Sequence, residues 1–257
     1  MTTGVRRRMG VEERKQQLIG VALELFSHRS PDEVSIDEIA AAAGISRPLV
    51  YHYFPGKQSL YEAALRRAAD ELAARFVEPP HGPLGARLLR VMVRFFDFVD
   101  EHGPGFAALM RGGPAAGSSN ANAMIDEVRQ AAYEQILAHL DVERPSARLE
   151  LVVRSWVSLA ESTALLWLDG RRVPREELER QLVHDFAALA AVSAAYDTEM
   201  AGILVRILAD EPADGPFGEL VGRLAALAPE LPGPAHAPEA PVEPGPAAGQ
   251  AAGQRLA

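Results

Sequence analysis

Cysteine is absent from this 257-residue chain, so a disulfide scaffold, a thiolate metal site and a cysteine nucleophile are all excluded. Long apolar runs are absent too, since no segment approaches the roughly 18 uninterrupted apolar residues of a membrane-spanning helix. Arg6, Arg7 and Arg8 are not followed by the apolar stretch of a secretory signal. These absences predict a cytoplasmic protein without a membrane partner.

The sequence patterns of common catalytic and cofactor sites are also missing. The seven histidines stand at positions 28, 52, 81, 102, 139, 184 and 236, and no two have the i, i+3 or i, i+4 spacing of helical metal ligands. The chain has no glycine-rich phosphate loop and no GxSxG motif. We therefore expect no enzyme, no cofactor and no metal; a helical enzyme or small-molecule carrier is the less favoured alternative.

Negative charge predominates, but not at the N-terminus. The net charge is -9, yet residues 1–60 carry eight basic and seven acidic side chains, a balance of +1 that leaves -10 for the remainder. Local basic charge promotes association with phosphate backbones. The split therefore suits a nucleic-acid module joined to an acidic body. Residues 1–10 are predicted to be a disordered basic segment, either an arm along DNA or a solvated tail.

Residues 35–57 carry the local signals of two short helices joined by a tight turn. Ser35 and Glu38 have the spacing of a capping box, and Gly44 suits the left-handed position that ends a helix. Ser46 is predicted to cap the second helix, with Pro48 in its first turn. The candidate inner residues are Ile36, Ile39, Ala40, Ala43, Ile45, Leu49, Val50 and Phe54. This is the pattern of a helix-turn-helix unit, whose second helix enters the major groove of DNA.

The second helix, about residues 47–53, leaves large polar and aromatic side chains for its outer face: Arg47, Tyr51, His52 and Tyr53. Such groups suit phosphates and base edges, although a plain helical hairpin in a core is the alternative. Arg47 and His52 are predicted to contact base edges, and Pro48 a thymine methyl group. Leu49 stays open between a base contact and the core.

The stretch from Ala41 to Tyr61, AAAGISRPLVYHYFPGKQSLY, resembles the N-terminal domain of the TetR family of bacterial transcriptional regulators. The resemblance implies that Tyr51 contacts phosphate and that Lys57 pairs with phosphate at the start of the next helix. The family usually has Thr at Leu49 and His at Tyr53, so the contact of that threonine does not carry over. The predicted DNA-binding set is Ser46, Arg47, Pro48, Tyr51, His52, Tyr53 and Lys57.

Helical periodicity without a convincing strand predicts an all-α protein. Helices are expected over residues 11–27, 57–77, 84–101, 106–111, 124–140, 148–169, 174–193, 196–208 and, weakly, 217–228. Gly103, Pro104 and Gly105 are expected to interrupt the chain between two of them. The DNA-binding domain is expected over 11–77, with its boundary near the C-terminus of the linking helix. A ligand-binding and dimerisation domain is expected over 84–209, and a Pro/Ala/Gly-rich, mostly disordered tail over 210–257.

The family resemblance implies a ligand pocket in the larger domain. Soft or aromatic side chains on separate helices suggest its wall, and the candidates are Met92, Phe95, Phe96, Phe106, Met110, Met124, Trp156 and Thr163. Such a stripe is more often ordinary core, and the nearby Ser155, Ser158, Ser162 and Glu161 could equally be helix-face polarity. No cluster of basic residues coincides with the stripe, which favours a neutral or hydrophobic ligand.

The resemblance also implies a homodimer through the helices at 148–169 and 174–193, although internal core is the alternative for these apolar segments. Two subunits would read the half-sites of a palindromic operator about 34–36 Å apart. The predicted function is a repressor released from its operator by a small molecule, through a population shift carried by helix 57–77. A DNA-binding regulator or activator without a small-molecule ligand is the alternative.

Overall fold

The structure is a computed structural model that describes residues 10–111 and 119–227. Within those ranges it contains helices and no strand, which confirms the all-α prediction. The helices are α1 (Val11–His28), α2 (Ile36–Ala42), α3 (Arg47–Tyr53), α4 (Lys57–Arg75), α5 (Leu84–Glu101), α6 (Gly103–Met110), α7 (Ser119–Leu140), α8 (Ala147–Leu168), α9 (Arg175–Ala194), α10 (Thr198–Ala209) and α11 (Pro216–Leu227). The predictions for residues 1–9 and for most of the tail lie outside the described residues.

The capping box before α2 forms as predicted. The Ser35 hydroxyl accepts from the Glu38 backbone N–H at 3.1 Å, and the Glu38 carboxylate accepts from the Ser35 N–H at 2.8 Å. Hydrogen bonds from Arg29 and from Ser35 lower the pKa of Glu38 to about 2. At the other end of α2, Gly44 takes a φ of 67°, the left-handed conformation that turns the chain toward α3.

The first hydrophobic core joins α1 to α2, α3 and the start of α4, and we call this part of the chain the reader domain. Val50 is fully buried and Phe54 is 5% exposed, as predicted, but Leu49 is 36% exposed and does not face the core. Of the two alternatives left open for Leu49, the structure excludes the core, because a seven-residue helix can bury only one narrow face and Val50 occupies it. Ser46 precedes α3, yet its hydroxyl makes no capping hydrogen bond.

The second core belongs to the larger helical part, here called the body, and α4 takes part in both cores. Ala64 packs in the core of the reader domain, whereas Ala68 and Leu72 pack in the core of the body. The change from one core to the other therefore falls in the middle of α4, while a domain boundary near its C-terminal end stays a prediction. A single helix with one end in each core is a rigid connection between them.

One predicted interruption of the body is helical in the structure. Gly103, Pro104 and Gly105 form the first turn of α6, where proline is tolerated because its missing N–H needs no partner there. The weakly predicted helix at 217–228 is present as α11, and its Phe217 is 2% exposed and belongs to the core of the body. The compact unit extends to Leu220, so the first part of the predicted tail is structured.

Among the described helices, α8 has the length and hydropathy of a membrane-crossing segment. It packs against α6, α7 and α9, and its buried side includes Val153, Trp156 and Ala164. The central helix of a helical domain is packed on several sides in this way, and its composition resembles that of a membrane-spanning helix.

Candidate nucleic-acid interface and ligand cavity

The outer face of α3 presents the side chains that the sequence singled out for DNA. Ser46, Arg47, Pro48, Tyr51 and His52 are all exposed on it or at its start. Their backbone is held by Val50, Phe54 and the Gly44 turn, so a rigid base supports an exposed polar and aromatic surface. This arrangement fits a helix that meets a nucleic acid with its outer face.

Arg47 is already oriented by neighbours on this face. Its guanidinium donates to the Asp37 carboxylate at 3.0 Å and to the Tyr51 hydroxyl at 3.4 Å, and it lies over the Tyr51 ring. The hydrogen bond with Tyr51, and then the charge of Asp37, raise the pKa of Arg47. The ion pair is solvent-exposed and therefore weak, so a phosphate or a guanine edge can replace Asp37 at little cost.

Two members of the predicted DNA-binding set are less exposed than expected. Tyr53 is half-buried, packs against the core of the reader domain and meets the edge of the His52 ring at 5.2 Å between centroids. It was expected on the outer face, but at the end of α3 its ring covers the core. Lys57 donates from Nζ to the Pro31 carbonyl at 2.9 Å, which leaves two of its three ammonium donors for a phosphate.

A long apolar cavity of about 140 Å³ lies between the reader domain and the body. Its wall includes Leu23, Phe26 and Ser27 of α1, and residues of α4, α5, α6, α7 and α8 complete it. Six of the eight predicted pocket residues lie on this wall: Met92, Phe95, Phe106, Met110, Met124 and Trp156.

The other two predicted pocket residues lie elsewhere. Phe96 is fully buried and packs edge-to-face on Trp167, with 5.4 Å between ring centroids, so it is ordinary core. Thr163 lies beside a separate surface depression near Leu166 and Trp167. The sequence left four polar residues of α8 open between cavity lining and helix-face polarity. Glu161 reaches the cavity wall, whereas Ser155, Ser158 and Ser162 are exposed.

Ser27 and His102, two polar residues of the cavity wall beside the reader domain, are paired with each other. The Ser27 hydroxyl lies 2.5 Å from Nδ1 of His102 and also donates to the Leu23 carbonyl. Burial lowers the pKa of His102, although the nearby Glu71 and Glu101 carboxylates oppose this. This contact links the end of α1 to the junction of α5 and α6.

Glu71, Glu101 and His102 form the one described group whose ligand atoms are close enough to hold a metal ion. Both carboxylates are ion-paired with Arg75, the Glu71 oxygen at 2.5 Å from its Nη2. Arg75 therefore supplies the positive charge that these carboxylates need, and the arrangement is that of an ion-pair network.

Sequence reasoning missed the wall that the reader domain contributes. Leu23, Phe26 and Tyr61 lie on the cavity wall and also belong to, or pack against, the core of the reader domain. The clue was the length of α4: a helix whose apolar face continues through both domains must pass the space between their cores.

The chain has an exposed helix on a small helical domain, and a shared helix joins that domain to a body with an apolar cavity. This combination defines a helical DNA-binding regulator. Sequence comparison agrees: the model of "Bacterial regulatory proteins, tetR family" matches residues 18–64, and "Tetracyclin repressor-like, C-terminal domain" matches residues 84–189. The chain belongs to the TetR family of transcriptional regulators and is not an enzyme.

Individual relatives support this assignment. A TetR-family regulator of known structure from Streptomyces coelicolor is 80% identical, and the match covers 86% of this chain and 100% of that one with a TM-score of 0.83. The transcriptional activator FasR of Mycolicibacterium smegmatis is 27% identical over 169 residues, which are 64% of this chain and 77% of FasR. A Rhodococcus regulator with a TM-score of 0.60 and 20% identity, matched over 69% of this chain and 96% of that one, shares the fold.

Proposed function

We propose that the chain is a homodimeric repressor that binds a palindromic operator and is released when a hydrophobic ligand fills the cavity. The observation behind this proposal is the shared wall of the cavity, to which α1 of the reader domain and the helices of the body both contribute. A ligand can shift a conformational equilibrium only by its difference in affinity for the two states. A ligand that touches both parts has such a difference, because its contacts depend on how they are arranged.

For DNA contact we propose the outer face of α3 with Ser46 and Lys57 beside it. Arg47 and His52 are assigned to base edges, and Tyr51 to phosphate. Since one good base contact is worth about 1–3 kcal/mol, Arg47→Ala should weaken operator binding about tenfold to one-hundredfold. Gel-shift titration of Arg47→Ala and Tyr51→Ala tests this, with Arg154→Ala on α8 as the control. Unchanged affinity in both reader variants would remove the assignment.

The dimer proposal rests on an exposed stripe without charged side chains along α8 and α9. Its members are Leu151, Ser155, Ser158, Leu159, Ser162 and Leu166 on α8, and Ala188, Ala191 and Val192 on α9. A second copy of the chain would cover this stripe as a four-helix arrangement. Leu166 is 74% exposed, so Leu166→Glu should leave the monomer folded and shift sedimentation toward the monomer. Val77→Glu, at a 62% exposed position that belongs to neither α8 nor α9, is the control.

Selection of bound DNA from a random pool tests the operator proposal as a whole. A dimer of the proposed kind should enrich a palindrome with half-sites about 34–36 Å apart, or a multiple of that distance. Binding should also weaken steeply with salt, because phosphate contacts release counterions. A pool without any enriched sequence would contradict the proposal.

The second candidate is an activator, favoured by one specific observation: the relative from Mycolicibacterium smegmatis, matched over 169 residues, is a transcriptional activator. In-vitro transcription from a selected promoter separates the candidates, since a repressor lowers transcript yield and an activator raises it. A regulator without any ligand remains the third candidate, and ligand titration of the gel shift tests it. In each case we propose action on the chromosome in the bacterial cytoplasm.

A further inference from the structure

The cavity follows the length of two neighbouring helices. Its wall includes α4 from Tyr61 to Phe76 and α7 from Met124 to His139, in each case about 22 Å at 1.5 Å of rise per residue. The two helices run in the same direction, since Glu62 is bonded to Asn120 and Arg66 to Glu127. Because the apolar wall extends along both helices, the cavity, here called the channel, suits an elongated, unbranched hydrocarbon chain better than a compact ligand.

One end of the channel carries a polar atom without a partner. Arg87 donates from Nη1 to Nδ1 of His139 at 3.0 Å and from Nη2 to the His139 carbonyl at 3.4 Å. Because a guanidinium has no acceptor, Nδ1 of His139 must accept, and the proton of the neutral imidazole lies on Nε2. That Nε2 is buried and has no hydrogen-bond partner among the described residues, although His139 lines the cavity.

The cation behind this imidazole also lacks a direct counter-ion. Arg87 is 9% exposed, its Nε is buried without a partner, and no described carboxylate lies within ion-pairing distance of it. Glu78 and Glu211 are near enough to stabilise its charge, but Glu78 is bound by two other arginines. Glu211 accepts from the Gly85 N–H through Oε2, and its Oε1 is buried without a hydrogen-bond partner among the described residues. Burying a cation without a paired anion costs free energy, and an anion bound beside Arg87 would lower that cost.

Two of the other polar side chains on the wall are already paired, whereas Gln135, one turn before His139 on α7, also offers an amide donor there. Arg129 is bound to Glu161 at 2.9 Å, and Ser27 is bonded to His102 at the reader end. Burial and the adjacent Arg87 lower the pKa of His139, so it stays neutral and keeps Nε2–H as a donor. The unmatched donor and the unpaired cation therefore coincide at the end of the channel far from the reader domain.

We propose that this cavity binds an amphipathic carboxylic acid with an unbranched hydrocarbon chain. The carboxylate accepts from Nε2–H of His139 with the charge of Arg87 behind it, and the chain extends along α4 and α7 toward α1. The inference rests on the proposed ligand cavity and makes it more specific: the ligand is hydrophobic along its length but anionic at one end.

Hexadecanoic acid and hexadecanol are the probes that separate this inference from a purely apolar pocket. Trp156 lies on the cavity wall, so its fluorescence reports binding without DNA. At about pH 8 the monomeric acid is ionised, and the wild-type protein should bind it about tenfold to one-hundredfold more tightly than the alcohol, as expected for a charge-assisted hydrogen bond. Arg87→Met should abolish that preference, Arg87→Lys should keep part of it, and Arg154→Met is the control.

The wild-type comparison alone decides the inference if Arg87→Met does not fold. Equal affinity for the two probes would overturn the carboxylate site and leave the proposed hydrophobic ligand in place. Binding of neither probe would overturn both, whereas the DNA-binding proposal is tested independently by the gel shift. Equal weakening of both probes by Arg87→Met would also count against the site, because it would indicate a general structural effect.

Discussion

The contact between α1 and α6 depends on a glycine, and this gives a quantitative test of the structure. A Cβ at Gly105 would lie 2.5 Å from the Phe26 carbonyl oxygen and 3.3 Å from the Phe26 carbonyl carbon and the Ser27 Cα. All three are backbone atoms, so no side-chain rotation can relieve the overlap. Since real Cβ contacts are essentially never shorter than 3.0 Å, Gly105→Ala must move α6 and α1 apart by half an ångström or more.

The expected cost follows from two opposing terms. Overpacking a well-packed contact costs about 1–3 kcal/mol. Replacing glycine by alanine in a helix recovers up to about 1 kcal/mol, and less in the first turn, where Gly105 stands. The net destabilisation is therefore about 1–2 kcal/mol. For a chain of this size that corresponds to a Tm lower by roughly 3–6 °C.

Thermal unfolding followed by far-ultraviolet circular dichroism measures the effect, with Gly202→Ala as the matched control. Gly202 lies inside α10, and a Cβ there meets no heavy atom within 4 Å. Its replacement should raise the Tm by about 2–4 °C through helix propensity alone. A Gly105→Ala protein as stable as the wild type would show that α6 does not approach the backbone of α1 as described.

Two further predictions concern stability. Leu60→Ala removes a fully buried side chain from the core of the reader domain and should cost about 2–5 kcal/mol in chemical unfolding, whereas Val77→Ala, at an exposed position, should cost little. His102→Gln should reduce the loss of stability between about pH 7 and pH 5. Burial lowers the pKa of His102 in the folded state, so the unfolded state binds more protons below about pH 6.5. The stability of the wild type therefore falls as the pH falls. An equal loss in the wild type and the variant would remove His102 as a cause.

Local signals were sufficient to predict the reader domain. Ser35, Glu38 and Gly44 act within a few residues of one another, and their capping box and left-handed turn form as expected. Leu49 was the exception, because the sequence cannot tell which of two adjacent apolar residues in a short helix will face inward. Val50 is the buried one, and Leu49 shares the surface with Arg47.

The cavity was predictable only in part, since its wall depends on how distant helices meet. Apolar and aromatic residues of α5 to α8 could be named from their types, and six of eight lie on the wall. The polar end could not be named, because Arg87 and His139 are 52 residues apart and neither belongs to a motif. The contribution of α1 was missed for the same reason: a buried face in a helix does not reveal which other helix it meets.

The two ends of the channel have different roles in the proposed mechanism. The carboxylate site of Arg87 and His139 lies beside the end of α4 that belongs to the body, whereas Phe26 and Tyr61 form the wall beside the reader domain. An acid anchored at the first end meets α1 only if its chain is long enough to reach the second. Affinity would then depend mainly on the head group and the methylenes along α4 and α7, while the effect on DNA binding would depend on the last carbons of the chain. A short acid would in this way occupy the cavity without moving the reader domain, because it has the same contacts in both arrangements and hence no differential affinity.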